Sequence, residues 1–159
     1  MNIPNPRFED GRAMLVAGLS CRYASANMNE IPKLWQRFSA YFGKIPGRVG
    51  KASYGVCSNV FSGANGFDYL SSVEVSSLSG LPAEFSSVKI PAQVYAVFPH
   101  LGHVSEITNT CAEIPNWFKG AGREIAHVAG TPDFFERYGE GFDPRTGTGD
   151  IEIWVPIKA

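Results

Sequence analysis

Long apolar runs are missing from this chain. None approaches the roughly 18 residues of a membrane-spanning helix, which excludes a helical membrane protein. A surplus of one charge sign is missing as well. Fourteen Lys and Arg face 15 Asp and Glu, the net charge is −1, and no basic run or Lys/Arg-rich helix stands out. That leaves no electrostatic footprint for DNA or RNA, and no dense acidic face that would imitate one. Cysteine is scarce: Cys21, Cys57 and Cys111 are far apart, odd in number and outside any CxxC motif, so they read as reduced, buried thiols. HExxH, GxSxG, a P-loop and GxGxxG are all absent. His100 and His103 flank Leu101 and Gly102 in a loop, His127 stands apart, and no acid at helical spacing completes a metal site. No metal, cofactor or standard nucleophile is expected. Residues 1–12 are polar and lack the apolar stretch of a signal peptide, so a cytoplasmic setting is the expectation.

What the chain does have is apolar mass and aromatic rings. Hydrophobic residues make up 44% of its 159 positions and aromatics 13%, enough for one domain or two small modules around a shared core. Residues 12–23 alternate as a strand, with Leu15, Ala17, Leu19 and Cys21 on one face and Met14, Val16 and Gly18 on the other. Asn29 is placed to cap a helix that tolerates Pro32 in its first turn. Ile31, Leu34, Trp35, Phe38 and Phe42 recur along it, and Gly43 and Pro46-Gly47 stop it. Strands are predicted over 53–61 and 67–78, joined by a hairpin loop at 62–66. Residues 76–87 form a link.

The same order then recurs. A strand over 88–98 carries Pro91 near its start. Ser105 is placed to cap a helix bearing Ile107, Cys111, Ile114 and Phe118, and Pro115 is predicted to kink or end it, at a cost of about 3 kcal/mol if kept interior. A short strand at 134–138, a turn at 143–149 and a last strand follow, in which Ile151, Ile153 and Val155 alternate with Glu152 and Trp154. The expectation is an α+β fold of duplicated βαββ modules, 12–78 and 88–157, with antiparallel sheets and a groove between them. One domain spans 1–159.

A groove lined by strands and aromatics suits a small molecule. The sharpest constellation is Glu136, Glu152 and Trp154. Glu136 shares a strand face with Phe134 and Tyr138, Glu152 shares one with Trp154, and a hairpin would bring the two sets together. A carboxylate beside rings fits an organic cation, with cation–π contact adding roughly 0.5–2 kcal/mol per ring. Glu74 is a candidate second acid. Trp35, Trp117, Tyr54, Tyr69 and Phe98 are candidate aromatic walls. Buried tyrosines, Tyr95 included, need a partner for the hydroxyl. The alternative for the acids is a solvated face, and for Trp35 and Trp154 plain core packing.

These residues also form a familiar set. Pro132-Asp133-Phe134-Phe135-Glu136-Arg137-Tyr138, then Phe142-Asp143-Pro144, then Glu152-Ile153-Trp154-Val155-Pro156-Ile157 resemble the GyrI-like family. This is also the effector-binding domain of AraC-type and multidrug-binding regulators. Leu34-Trp35 with Phe38, Tyr54-Gly55-Val56, Leu81-Pro82, and Ile90-Pro91 through Tyr95-Ala96-Val97-Phe98 to Gly102 match in order along nearly the whole chain. The resemblance implies a duplicated βαββ fold whose groove holds bulky, often cationic, aromatic compounds around a central Glu, here Glu136. Glu152 and Trp154 match acid and aromatic positions. Pro115 departs from a helix that usually runs on to the Trp at 117, and no helix-turn-helix flanks the match. The expectation is therefore a stand-alone binding protein for a hydrophobic or cationic small molecule, with no direct contact to nucleic acid or membrane. A homodimer or an unidentified protein partner is a further expectation. The alternatives are a hydrolase of reactive electrophiles using a groove Glu as base, and a modulator acting through protein contacts.

Overall fold

The computed structural model describes residues 3–60, 66–126, 128 and 130–158. Among these, eight strands and two helices follow one another: β1 (Arg7–Gly11), β2 (Met14–Tyr23), α1 (Ile31–Ser39), β3 (Ser53–Ser58), β4 (Phe67–Glu74), β5 (Ser86–Ile90), β6 (Gln93–His100), α2 (Ile107–Ala121), β7 (Phe134–Tyr138) and β8 (Ile151–Pro156). All eight strands join one sheet in the order β1-β6-β8-β7-β3-β4-β2-β5, and every pair is antiparallel. No helix among the described residues is long and apolar enough to cross a membrane.

Both helices lie on the same face of this sheet. Leu34 and Phe38 of α1 bury against Ala17, Leu19, Tyr69 and Val73, while Ile114 and Phe118 of α2 bury against Ala96, Phe98, Ile153 and Val155. Among the described residues the other face carries no helix. It closes on its own side chains, as Val16, Tyr54, Val56, Leu70, Ile90, Tyr95, Val97 and Phe135 form one cluster drawn from strands across the sheet.

Several sequence expectations shift. The strand read over 12–23 is β2, and it begins at Met14; β1 lies in the stretch read as a polar lead-in. β1 is an edge strand with only Phe8 as a large apolar residue, so periodicity gives little sign of it. The 88–98 strand is divided by Pro91, which has no N–H to give a ladder: β5 ends at Ile90 and β6 starts at Gln93. Neither proposed cap holds. Asn29 lies within a 3-10 turn, Met28–Glu30, that leads into α1. A second such turn, Val104–Glu106, leads into α2 and is capped by His103, whose Nδ1 accepts from the Ser105 N–H at 3.0 Å.

Pro115 does not end its helix. It is exposed, and α2 continues to Ala121 before Gly122 closes it in the left-handed conformation. Ile114 and Phe118, anchored in the core on either side, hold the helix across the missing hydrogen bond. The predicted hairpin loop at 62–66 lies outside the described residues apart from Gly66.

Candidate functional site

Glu136 sits at the centre of the sheet, on the helix face. In register, Ser71 of β4, Gly55 of β3, Glu136 of β7 and Ile153 of β8 form one row across four neighbouring strands. Alternation puts Tyr69, two residues before Ser71, and Tyr138, two after Glu136, on the same face. The Tyr69 hydroxyl donates to Glu136 Oε1 at 2.7 Å, and the Tyr138 hydroxyl donates to the same oxygen at 2.8 Å. Among the described residues no hydrogen bond reaches Oε2 and no ion pair reaches the carboxylate.

α1 supplies the cover. Trp35 Nε1 donates to the Tyr69 hydroxyl oxygen at 2.9 Å, so Trp35, Tyr69 and Glu136 form a hydrogen-bonded chain from helix to sheet. The Trp35 ring also meets Tyr138 edge-on, with centroids 5.5 Å apart. The Leu34, Trp35, Phe38 spacing explains this: Leu34 and Phe38 are buried, and Trp35 beside them is half-buried over the tyrosines. Gly55 makes room underneath. A Cβ there would stand 2.2 Å from the Tyr69 hydroxyl oxygen and 2.6 Å from Glu136 Oε1.

Burial sets the electrostatics. It raises the Glu136 pKa above the ordinary carboxylate value, and the two phenol hydrogen bonds only partly offset it. Burial, then the neighbouring Glu136 charge, lifts both Tyr69 and Tyr138 well above the usual phenol range. Cys57 of β3 is raised well above the ordinary thiol value, and Cys111 of α2 is pushed up to about 12, again by burial first and Glu136 second. The three cysteines are free. The arrangement is a buried carboxyl bonded to two phenols, one of which is bonded in turn to an indole.

The remaining candidates lie elsewhere. Glu152 and Trp154 are on the opposite face from Glu136, because Glu136 stands across from Ile153, while Arg137 faces Glu152 and Phe135 faces Trp154. The proposed meeting of Glu136, Glu152 and Trp154 therefore does not occur. Each strand's alternation is as read, but the 12 residues joining them leave the register open, and a slip of one residue exchanges faces. Trp154 stacks on Phe135 at 5.5 Å and meets Tyr95 at 5.3 Å. Glu152 accepts from Arg7 at 2.5 Å and from Trp154 Nε1 at 3.1 Å. Burial raises its pKa, but those hydrogen bonds and the Arg7 and Arg137 charges outweigh this and lower it overall.

Tyr54 and Glu74 also lie on the helix-free face. They line an open cleft of about 450 Å³ with Arg12, Lys51 and Arg137. Buried Glu74 is held by both terminal nitrogens of Arg12. Trp117, on α2, and Phe98, on β6 beneath that helix, are on the helix face. Their rings are 5.4 Å apart, and Trp117 also donates to Asn5 at 3.2 Å. Of the nine candidates, Glu136, Tyr69 and Trp35 are brought together. Tyr138 was readable on the Glu136 face by its i+2 spacing, though not counted among the candidates. Gly55 and Ser71 needed the register. His100 and His103 hydrogen-bond within their own loop region and to Thr110. His127 lies outside the described residues, among which no cluster is placed to hold a metal.

The family model for the GyrI-like small molecule binding domain matches residues 4–158. The chain belongs to this family. It is 29% identical over 153 residues to the transcriptional regulator BrlR of Pseudomonas aeruginosa, a match covering 95% of this chain and 54% of BrlR, so it spans about half the length of that relative. Solved structures share the GyrI-like fold. SAV2435, in a structure bound to tetraphenylphosphonium, has a TM-score of 0.75 at 19% identity, covering 98% of this chain and 95% of that one. An integron cassette protein of Vibrio cholerae has a TM-score of 0.68 at 21% identity, covering 98% and 97%.

Proposed function

We propose that this GyrI-like domain holds bulky organic cations of aromatic character against Glu136, in a groove between two βαββ halves, residues 12–78 and 88–157, of one domain spanning 1–159. The element order β2-α1-β3-β4 followed by β6-α2-β7-β8 supports the duplication. So does the strand order, which reads the same from either edge once β1 to β4 are exchanged with β5 to β8. In that reading the short strand ahead of each half's β-α-β-β run, β1 or β5, pairs with the other half.

The observation that carries the proposal is a buried carboxyl with no cationic partner among the described residues. Ionised and unpaired in such a place, it is costly, and a ligand's positive charge offsets that cost. Trp35, Tyr69 and Tyr138 supply ring surface for cation–π contact. Tetraphenylphosphonium, the ligand of the SAV2435 structure, has this chemistry. Three free cysteines suit a cytoplasmic setting. Rhodamine-type and quaternary ammonium dyes are expected to bind by fluorescence polarisation, and Glu136→Gln is expected to weaken them by roughly tenfold or more. A panel that shows no binding, or a variant that binds as tightly, refutes the proposal.

A hydrolytic reading draws on the same carboxyl, since its raised pKa moves it towards that of a general base. A fold neighbour described as a hydrolase from Listeria innocua, with a TM-score of 0.57 at 14% identity, lends it some support. Turnover of reactive electrophiles, abolished in Glu136→Gln, would favour it; dye binding without turnover favours the binding role.

A further inference from the structure

Ser71 is completely buried, and its hydroxyl has no hydrogen-bond partner among the described residues. A serine this deep in a sheet ordinarily finds a carbonyl or a neighbouring side chain, as Ser72 does by donating to the Tyr54 carbonyl at 3.0 Å. Ser71 is on the face that carries Glu136. It stands in the same row, and the only residue between them is Gly55, which has no side chain. Strand spacing puts the Ser71 and Glu136 backbones about 10 Å apart. The Tyr69 hydroxyl and Glu136 Oε1 fill the space over Gly55, so a ligand that displaces the Tyr69 hydroxyl would meet a carboxylate at one end and an unused hydroxyl at the other.

We propose that Ser71 is a second polar anchor of the site, selecting organic cations that carry a hydrogen-bonding group away from the charge over cations that are hydrocarbon throughout. This rests on Glu136 being the cation site. The serine hydroxyl both donates and accepts, so a ligand hydroxyl, carbonyl or ether satisfies it. In the free protein the unmet hydroxyl costs stability, and a ligand's hydrogen bond would recover that cost.

The probes are tetraphenylphosphonium, which has no hydrogen-bonding atom, and its 2-, 3- and 4-hydroxyphenyl analogues, titrated calorimetrically into the wild-type protein, Ser71→Ala and Glu136→Gln. In Ser71→Ala at least one hydroxylated probe is expected to lose about fivefold in affinity while tetraphenylphosphonium is unchanged. The Tm of the free variant is expected to rise by about 2–4 °C as the unmet hydroxyl is removed. Equal binding of every probe to Ser71→Ala and wild type overturns the proposal, as does an equal loss for all probes or a fall in Tm. Glu136→Gln separates the premises: if it binds tetraphenylphosphonium as wild type does, the cation site itself is misplaced, whatever Ser71 does.

Discussion

Gly55 shows how little space the carboxyl site has. Two side-chain oxygens occupy the volume that any other residue's Cβ would take. Gly55→Ala would push the Tyr69 hydroxyl and Glu136 apart and break the chain that begins at Trp35. The expected outcome is a loss of about 1–3 kcal/mol in chemical denaturation, as for other overpacked core sites, with weakened cation binding. Unchanged stability and affinity would show that the Tyr69–Glu136 contact is dispensable. The contrast with Glu152 is instructive at this scale. Both acids are largely removed from solvent, yet Glu136 has phenols for neighbours and Glu152 has guanidinium groups, so their pKa values move in opposite directions. Glu152 is paired with arginines, whereas Glu136 has no cationic partner among the described residues.

At the scale of elements, β1 fastens the helix-free face. Arg7 reaches Glu152 on β8, and Arg12, just beyond the strand, reaches Glu74 on β4. Glu152 has a lowered pKa in the folded state, so its contribution to stability is present above its unfolded value and lost as pH falls through the lowered folded one. Removing the partner in Arg7→Ala should therefore lower Tm most near neutral pH, and the variant and wild-type curves should converge in acid, below the usual glutamate range of about 4. A Tm difference that is constant with pH would mean that Arg7 acts through packing on Trp154 instead. In α2, Pro115 cannot donate to the carbonyl one turn back. Pro115→Ala restores that bond at an exposed position and should stabilise the protein by about 1–3 kcal/mol, read from the denaturation midpoint. No gain would indicate that the helix has already relaxed around the proline.

Across the whole molecule, the elements that alternate or recur cleanly were legible in the sequence: β2, β3, β4, α1, β7 and β8 lie close to where periodicity puts them. β1 was hidden because an edge strand with one large apolar residue has no pattern to read. The helix starts were misplaced because a 3-10 turn precedes each helix and shifts the cap. Of the hydrogen-bonded cluster at the sheet centre, Glu136, Tyr69 and Trp35 were each singled out in the sequence. The rest depended on register, which decides faces and which neither composition nor spacing specifies across a 12-residue connection. That is why Glu152 and Trp154, sound as strand residues, lie on the face opposite Glu136, and why Gly55 and Ser71 went unnoticed. Under the duplication proposed above, β3 and β7, the middle pair of one continuous sheet, correspond to each other, which would account for a carboxyl so near its centre.

The measurement that tests this account most directly is tetraphenylphosphonium affinity as a function of pH, in wild type and Glu136→Gln. Burial raises the Glu136 pKa, so the free carboxyl stays protonated above the usual range and a cation gains its partner only as the proton leaves. Wild-type affinity is predicted to climb as pH rises from about 4 until Glu136 is fully ionised, while Glu136→Gln binds weakly and shows little change over the same interval. Wild-type and variant curves that superimpose would contradict the assignment of Glu136 as the cation's partner.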